Sequence, residues 1–108
     1  MYILNKNGSN LFKTEDFVEI AMLNETEELR KSHPAIRGKY FVVRAYQELN
    51  NRRSSVILAS YDEETEAKDS YFAMIEAIGN NAELFSFYPL NTDIMQERDM
   101  QTDMTLEE

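Results

Sequence analysis

Between Lys39 and Leu49 the side chains alternate with a period of two. Tyr40, Val42, Arg44 and Tyr46 fall on one face, and Phe41, Val43, Ala45 and Leu49 on the other. This is the pattern a half-buried strand presents. Asn50-Asn51-Arg52-Arg53 reads as a turn, and Ser54–Tyr61 as the returning partner of a hairpin. The period then changes. Ala67, Tyr71, Met74, Ile75 and Ile78 recur at i, i+4, i+7, i+8 and i+11, which is one apolar stripe on a helix. A hairpin that feeds an amphipathic helix leaves few options, because the sheet face and the helix stripe must be buried against each other.

The flanking segments fit that frame. Met1–Leu4 reads as a short strand, Asn5-Lys6-Asn7-Gly8 as a tight turn, and Leu11–Thr14 as the return strand. Phe17–Leu23 is apolar except for Glu19 and reads as a largely buried strand. Asn24–Gly38 reads as an exposed connection with a short helix. Asn24-Glu25-Thr26-Glu27 can cap a turn or two, and Pro34 disfavours helix at His33. Gly79 is placed to stop the main helix. Ala82–Tyr88 reads as a last strand, with Phe85 and Phe87 on one face and Pro89 ending it. The expected fold is α+β: a mostly antiparallel sheet of about five strands on one main helix near residues 63–78. Residues 1–90 form a single domain in this reading, and 91–108 an acidic tail, either weakly helical or disordered.

Charge is distributed unevenly. Residues 1–57 carry nine bases and seven acids, a balance of +2. Residues 58–108 carry two bases and thirteen acids, a balance of −11, and together these give the net −9. Such a half repels phosphate backbones and anionic lipids, so neither nucleic acid nor membrane is an expected partner. It favours encounter with a basic protein surface. No apolar run approaches the ~18–20 residues a bilayer span needs, and Met1–Lys6 lacks the pattern of a signal peptide. There is no cysteine, which excludes disulfides, thiolate metal sites and cysteine nucleophiles and fits a reducing cytoplasm.

Catalytic signatures are missing from the chain. His33, the one histidine, precedes Pro34 in a charged connection with no apolar wall beside it, a poor place for a catalytic base. The acidic run from Asp62 fails as a calcium loop, since its sixth position is Ala67 and its twelfth Ala73. Glu66-Ala67-Lys68 has the acid-x-Lys spelling of some nucleases, but it lies in the helical stripe rather than on a strand. The three glycines are isolated, so no phosphate loop is present. Arg52-Arg53 reads as a solvated hairpin tip. The expectation is a protein that is not an enzyme and takes no metal or cofactor.

The acids themselves divide. Asp62 is placed to cap the helix, and Glu63, Glu64 and Glu66 lie near its positive end. Asp69 and Glu76 are too far along for that. With Ala67 at zero on a wheel of about 100° per residue, they lie near 200° and 180°, with Phe72 near 140°. An aromatic beside acids on the outward side has the form of an anchor with a polar rim. The alternative is that Phe72 folds down on the sheet edge or the tail. The candidate partner-binding residues are therefore Asp62, Glu63, Glu64, Glu66, Asp69, Phe72 and Glu76.

Several stretches together carry a resemblance. "MYILNKNGSNLF", then "KYFVVRAYQ", "SVILASYDEETEAKDSYFAMIEAI" and "AELFSFYPL", resembles a loose group of small, mostly uncharacterised proteins of Gram-positive bacteria, their phages and mobile elements. In that group a strand ending near a Tyr runs into an acidic helix start, an Ala-Lys and an amphipathic helix, and an aromatic-then-Pro strand follows. The resemblance covers about residues 1–23 and 39–90 by pattern. The Asn24–Gly38 connection is longer than the group's pattern, and the acidic tail is an addition. Small acidic phage proteins include inhibitors of bacterial defence, among them anti-CRISPR proteins that bind RNA-guided nucleases. The resemblance thus implies a non-catalytic inhibitor in the host bacterial cytoplasm, occupying the basic nucleic-acid-binding surface of such a nuclease. The second reading is a phage or mobile-element interaction module with a structural or regulatory partner and no inhibition.

Overall fold

The computed structural model describes residues 1–89. In chain order these form β1 (Tyr2–Leu4), β2 (Leu11–Lys13), a 3₁₀ turn (Thr14–Asp16), β3 (Glu19–Asn24), α1 (Thr26–Ser32), β4 (Phe41–Leu49), β5 (Arg52–Tyr61), α2 (Glu64–Gly79) and β6 (Leu84–Ser86). The class is α+β, but the expected single sheet is corrected to two sheets of three strands. Their orders are β2-β1-β6 and β3-β4-β5. The division has a local cause. The 3₁₀ turn, anchored by Thr14 N–H on the Met1 carbonyl (3.0 Å), redirects the chain before β3. β1 then accepts β6 in parallel on its other edge, with Ile3 opposite Phe85, so the last strand closes the N-terminal hairpin and does not join the meander.

The β1–β2 turn is built around Asn5. Its buried Oδ1 accepts from the amides of Ser9 and Asn10, each at 3.0 Å, which satisfies an otherwise costly polar group. Gly8 adopts φ +75°, and a Cβ there would meet the Tyr88 ring at 2.8 Å. Only glycine combines that dihedral with that close approach.

The central hairpin turns on Asn50 and Asn51 alone, both at positive φ (54° and 66°), as a type I′ connection requires. Val43 and Ala45 face the core as the alternation predicts, and Phe41 is buried too, but Val42 on the opposite face is equally buried. β5 departs from simple alternation. The register passes from Val43↔Ala59 to Arg44↔Ile57 and leaves Leu58 as a bulge. Leu58 and Ala59 are consequently both buried. The carbonyl of Leu58 accepts from Lys6 N–H (2.7 Å), which ties the first sheet to the second.

α2 covers the inner face of β3-β4-β5. Ile3, Val43, Ala45, Leu58, Ala59, Met74 and Phe87 form the core. Ala67 and Met74 are the buried residues of the helix. Ile75 and Ile78, expected in the buried stripe, are 43% exposed, because the sheet ends at β3 and the helix overhangs its edge. β3 is accordingly an edge strand with half-buried side chains, and Val18 just before it is exposed, in place of the largely buried strand expected over Phe17–Leu23.

The helix ends also differ from expectation. The residue ahead of α2 is Glu63, in extended backbone, and its side chain makes no capping bond. Asp62 stands one residue too early to do so. At the far end Gly79 is still helical, and Asn81 adopts φ +57° in its place. Ala82 N–H bonds the Ala77 carbonyl (3.0 Å) and Asn81 N–H the Ile78 carbonyl (3.1 Å), a Schellman closure. α1 does form in the Asn24–Gly38 connection. Asn24 Oδ1 accepts from the Thr26 amide (3.1 Å) and hydroxyl (2.6 Å), and no bond from Glu27 accompanies it among the described residues. The tail over 91–108 lies outside the described residues.

Candidate protein-interaction face on α2

All seven sequence-derived candidates, Asp62, Glu63, Glu64, Glu66, Asp69, Phe72 and Glu76, are exposed, but they do not share one face. Asp62 and Glu63 precede the helix. Glu64 pairs with Lys68 one turn on (3.6 Å), an exposed i,i+4 pair that contributes little. Glu66 lies on the flank toward Tyr61 and Ser70. Asp69 and Glu76 occupy the outward ridge, and among the described residues neither has a cationic partner. Phe72 is 59% exposed, and its ring lies 5.7 Å from that of Tyr71.

Phe72 is not isolated. Its neighbour Tyr71 lines a groove with Phe17, Val18, Ile20, Ile75 and Ile78, of which Val18, Ile75 and Ile78 are exposed; Phe72 itself stands outside the groove, toward the acidic ridge. Tyr71 spans this groove and donates its hydroxyl to the Ile20 carbonyl (3.2 Å). The result is an apolar shelf flanked by an acidic ridge. The sequence reading found Phe72 but not the shelf. Ile75 and Ile78 carry the same periodicity as buried residues, and only the width of the sheet below decides which are covered.

Two arginines lie on the opposite, outer face of the β3-β4-β5 sheet, whereas Lys68 is on α2 itself. On the outer face of β3-β4-β5, Arg44 makes a two-pronged bond to Glu25 (2.7 and 2.9 Å), with both side chains largely buried. The Glu25 carboxylate holds the Arg44 guanidinium pKa above its ordinary value. Arg53 bonds Glu19 and Glu48 and stacks on Tyr46 (4.4 Å to the centroid). These arginines are neutralised in place, so the hairpin tip is less basic than its sequence suggests.

One polar cluster falls outside the candidate set. Tyr61 Oη and Ser70 Oγ are 2.8 Å apart at a cleft shared with Lys6, Glu66 and Phe87, and the Lys6 ammonium stands 3.9 Å from the Tyr61 ring centroid. Burial pushes the Tyr61 hydroxyl up from its ordinary range. A phenol so placed is no base at neutral pH, so it does not activate Ser70 as a nucleophile. His33 is exposed, with Ser32 Oγ 2.9 Å from Nδ1. Among the described residues no group of three or more His, Cys, Asp or Glu side chains could hold a metal, and no helix is long and apolar enough to cross a membrane.

What the arrangement offers is therefore a surface, with an acidic ridge unpaired among the described residues beside an exposed aromatic. Comparison of the chain with protein-family models, curated proteins and solved structures finds no match.

Proposed function

We propose that this chain is a non-catalytic binding protein of phage or mobile-element origin. In this reading α2 docks on a basic, nucleic-acid-binding surface of a host defence protein in the bacterial cytoplasm. An RNA-guided nuclease is the candidate that its positively charged guide and target channel recommends. One observation carries the binding mode: Asp69 and Glu76 project on the outward ridge of α2 with no cationic partner among the described residues, beside a 59% exposed Phe72. Unpaired surface acids raise the encounter rate with a basic partner, and an exposed aromatic supplies the desolvated anchor. The class of target comes from the sequence resemblance. The test is competition. Full-length protein is titrated into an RNA-guided nuclease of a Gram-positive host, and target-DNA binding is read by fluorescence anisotropy. Displacement that weakens steeply with salt supports the reading, and unchanged DNA binding at saturating protein rejects this target class.

The exposed apolar shelf favours a second reading, an interaction module with a structural or regulatory partner and no inhibition. Binding through the shelf would respond little to salt. A complex that survives high salt and leaves nucleic-acid binding untouched selects this reading over the first.

A further inference from the structure

Five bases that have no carboxylate partner among the described residues fall on one strip. Arg30 Nη2 donates to the Gly38 carbonyl (2.9 Å), which sets Arg30 and its neighbour Lys31 beside Arg37 and Lys39. Lys39 and Lys6 then line one hollow with Ser60, Tyr61 and Asp62. Asp62 and Glu66 stand near the Lys6 end. The excess of positive charge therefore lies at the α1 end, where Arg30, Lys31, Arg37 and Lys39 outnumber Glu27 and Glu28, and all four of these bases are exposed. Pro89, the last described residue, stands at the other end of the strip. It and Lys6 line the adjoining cleft with Tyr61 and Tyr88. The residues that follow, 90–108, carry six acids against the single base Arg98, a balance of −5.

We propose that the acidic segment 90–108 lies in cis along this strip, with its carboxylates on Arg30, Arg37 and Lys39. Its reach is sufficient. An extended residue spans at most about 3.6 Å, so Asp93 lies within ~14 Å of Pro89 and Asp103 within ~50 Å. Its direction follows from charge. On the helical wheel with Ala67 at zero, Glu66 and Ser70 beside the cleft lie at about 260° and about 300°, and Tyr71 and Ile75 of the apolar shelf at about 40° and about 80°. Asp69 and Glu76 stand between the two on the outward side, so they repel an acidic segment from the direct way over α2 to the shelf. Toward Lys39 and Arg37 the same segment is attracted. Exposed ion pairs are individually weak, and a free acidic peptide would gain little from them. A tethered segment is held at an effective concentration on the order of millimolar, which favours the chain's own acids over those of another molecule. The contact leaves Asp69, Phe72 and Glu76 uncovered, so it stands apart from the function proposed for α2.

The test uses the full chain. Thr102→Cys supplies a single thiol for a nitroxide label, since the protein has no cysteine of its own. At low ionic strength the label should cut the nuclear magnetic resonance intensities of the Arg37, Lys39 and Tyr40 amides by about half or more, and leave those of Asp69 and Glu76 unchanged. At 1 M salt, where the Debye length is ~3 Å, the lost intensity should return. Arg37→Glu with Lys39→Glu replaces exposed residues, so the rest of the amide spectrum should stay in place while the broadening at the strip disappears. A mixture of labelled chain with nitrogen-15-enriched wild type should show no broadening. Broadening in that mixture would mean that the segment docks on a second copy, and overturns the proposal. So does a label that leaves the strip untouched, one that broadens Val18 and Ile78 of the shelf instead, or broadening that survives the double-glutamate variant.

Discussion

Met74 shows what a single position under α2 carries. It is 2% exposed and touches the core from the centre of the helix. Met74→Ala should cost about 2–5 kcal/mol by leaving a cavity, and Met74→Asp should unfold the domain by burying an unpaired charge. Thermal melting followed by circular dichroism checks both, and a Met74→Asp variant that melts like wild type would mean the helix is turned otherwise. Tyr61 acts through its hydroxyl. The folded state favours the neutral phenol, because burial raises its pKa. Its contribution is full below the ordinary tyrosine range and is lost as pH rises through the folded value. Tyr61→Phe should cost about 0.5–1.5 kcal/mol at neutral pH, for the lost bond to Ser70, and should flatten the fall of stability in strong alkali. Urea titrations on either side of that range separate the two effects. A variant whose stability falls with alkali as steeply as wild type assigns the linkage to another group.

At the scale of elements, what the sequence made legible followed from periodicity, and what it hid followed from partners. The alternation puts Val43 and Ala45 of β4 in the core as expected, but Val42 on the opposite face is buried just as fully (0% exposed), which the period of two did not show. The bulge at Leu58 was hidden, since its cause is a carbonyl bonded to Lys6, more than fifty residues earlier. The split into two sheets was hidden for the same reason: nothing in Leu84–Ser86 states that its partner is β1 rather than β5. The stop of α2 was misplaced by two residues. Gly79 is the better residue for a left-handed terminus, yet the helix runs through it and closes on Asn81. Asn tolerates that conformation better than other residues with a Cβ, so Asn81→Ala should destabilise by about 1 kcal/mol and Asn81→Gly should not. Paired melts of the two variants decide this. Equal losses would show that the dihedral is not what holds the turn.

Across the whole molecule, charge is sorted by layer. The arginines of the sheet's outer face are bonded to Glu19, Glu25 and Glu48, whereas the outward ridge of α2 leaves Asp69 and Glu76 without cations among the described residues. The exposure of Asp69, Phe72 and Glu76 was legible from the helical wheel. Their neighbours were not, since Val18 reaches the shelf only through tertiary packing. This sorting yields the prediction that separates a binding ridge from a merely solvated one. Exposed acids contribute little to folding, so Asp69→Lys with Glu76→Lys should change stability by less than about 1 kcal/mol. Association with a basic partner should slow markedly at low salt, and the wild-type advantage should vanish as salt rises, because charge acts on encounter. Phe72→Ala should instead leave the association rate nearly intact and speed dissociation, as loss of a buried anchor does. Surface plasmon resonance against the immobilised nuclease, at two ionic strengths, reads both rates. A folded double-lysine variant that associates as fast as wild type at low salt would remove the ridge from the interface. Unchanged dissociation in Phe72→Ala would remove the anchor as well.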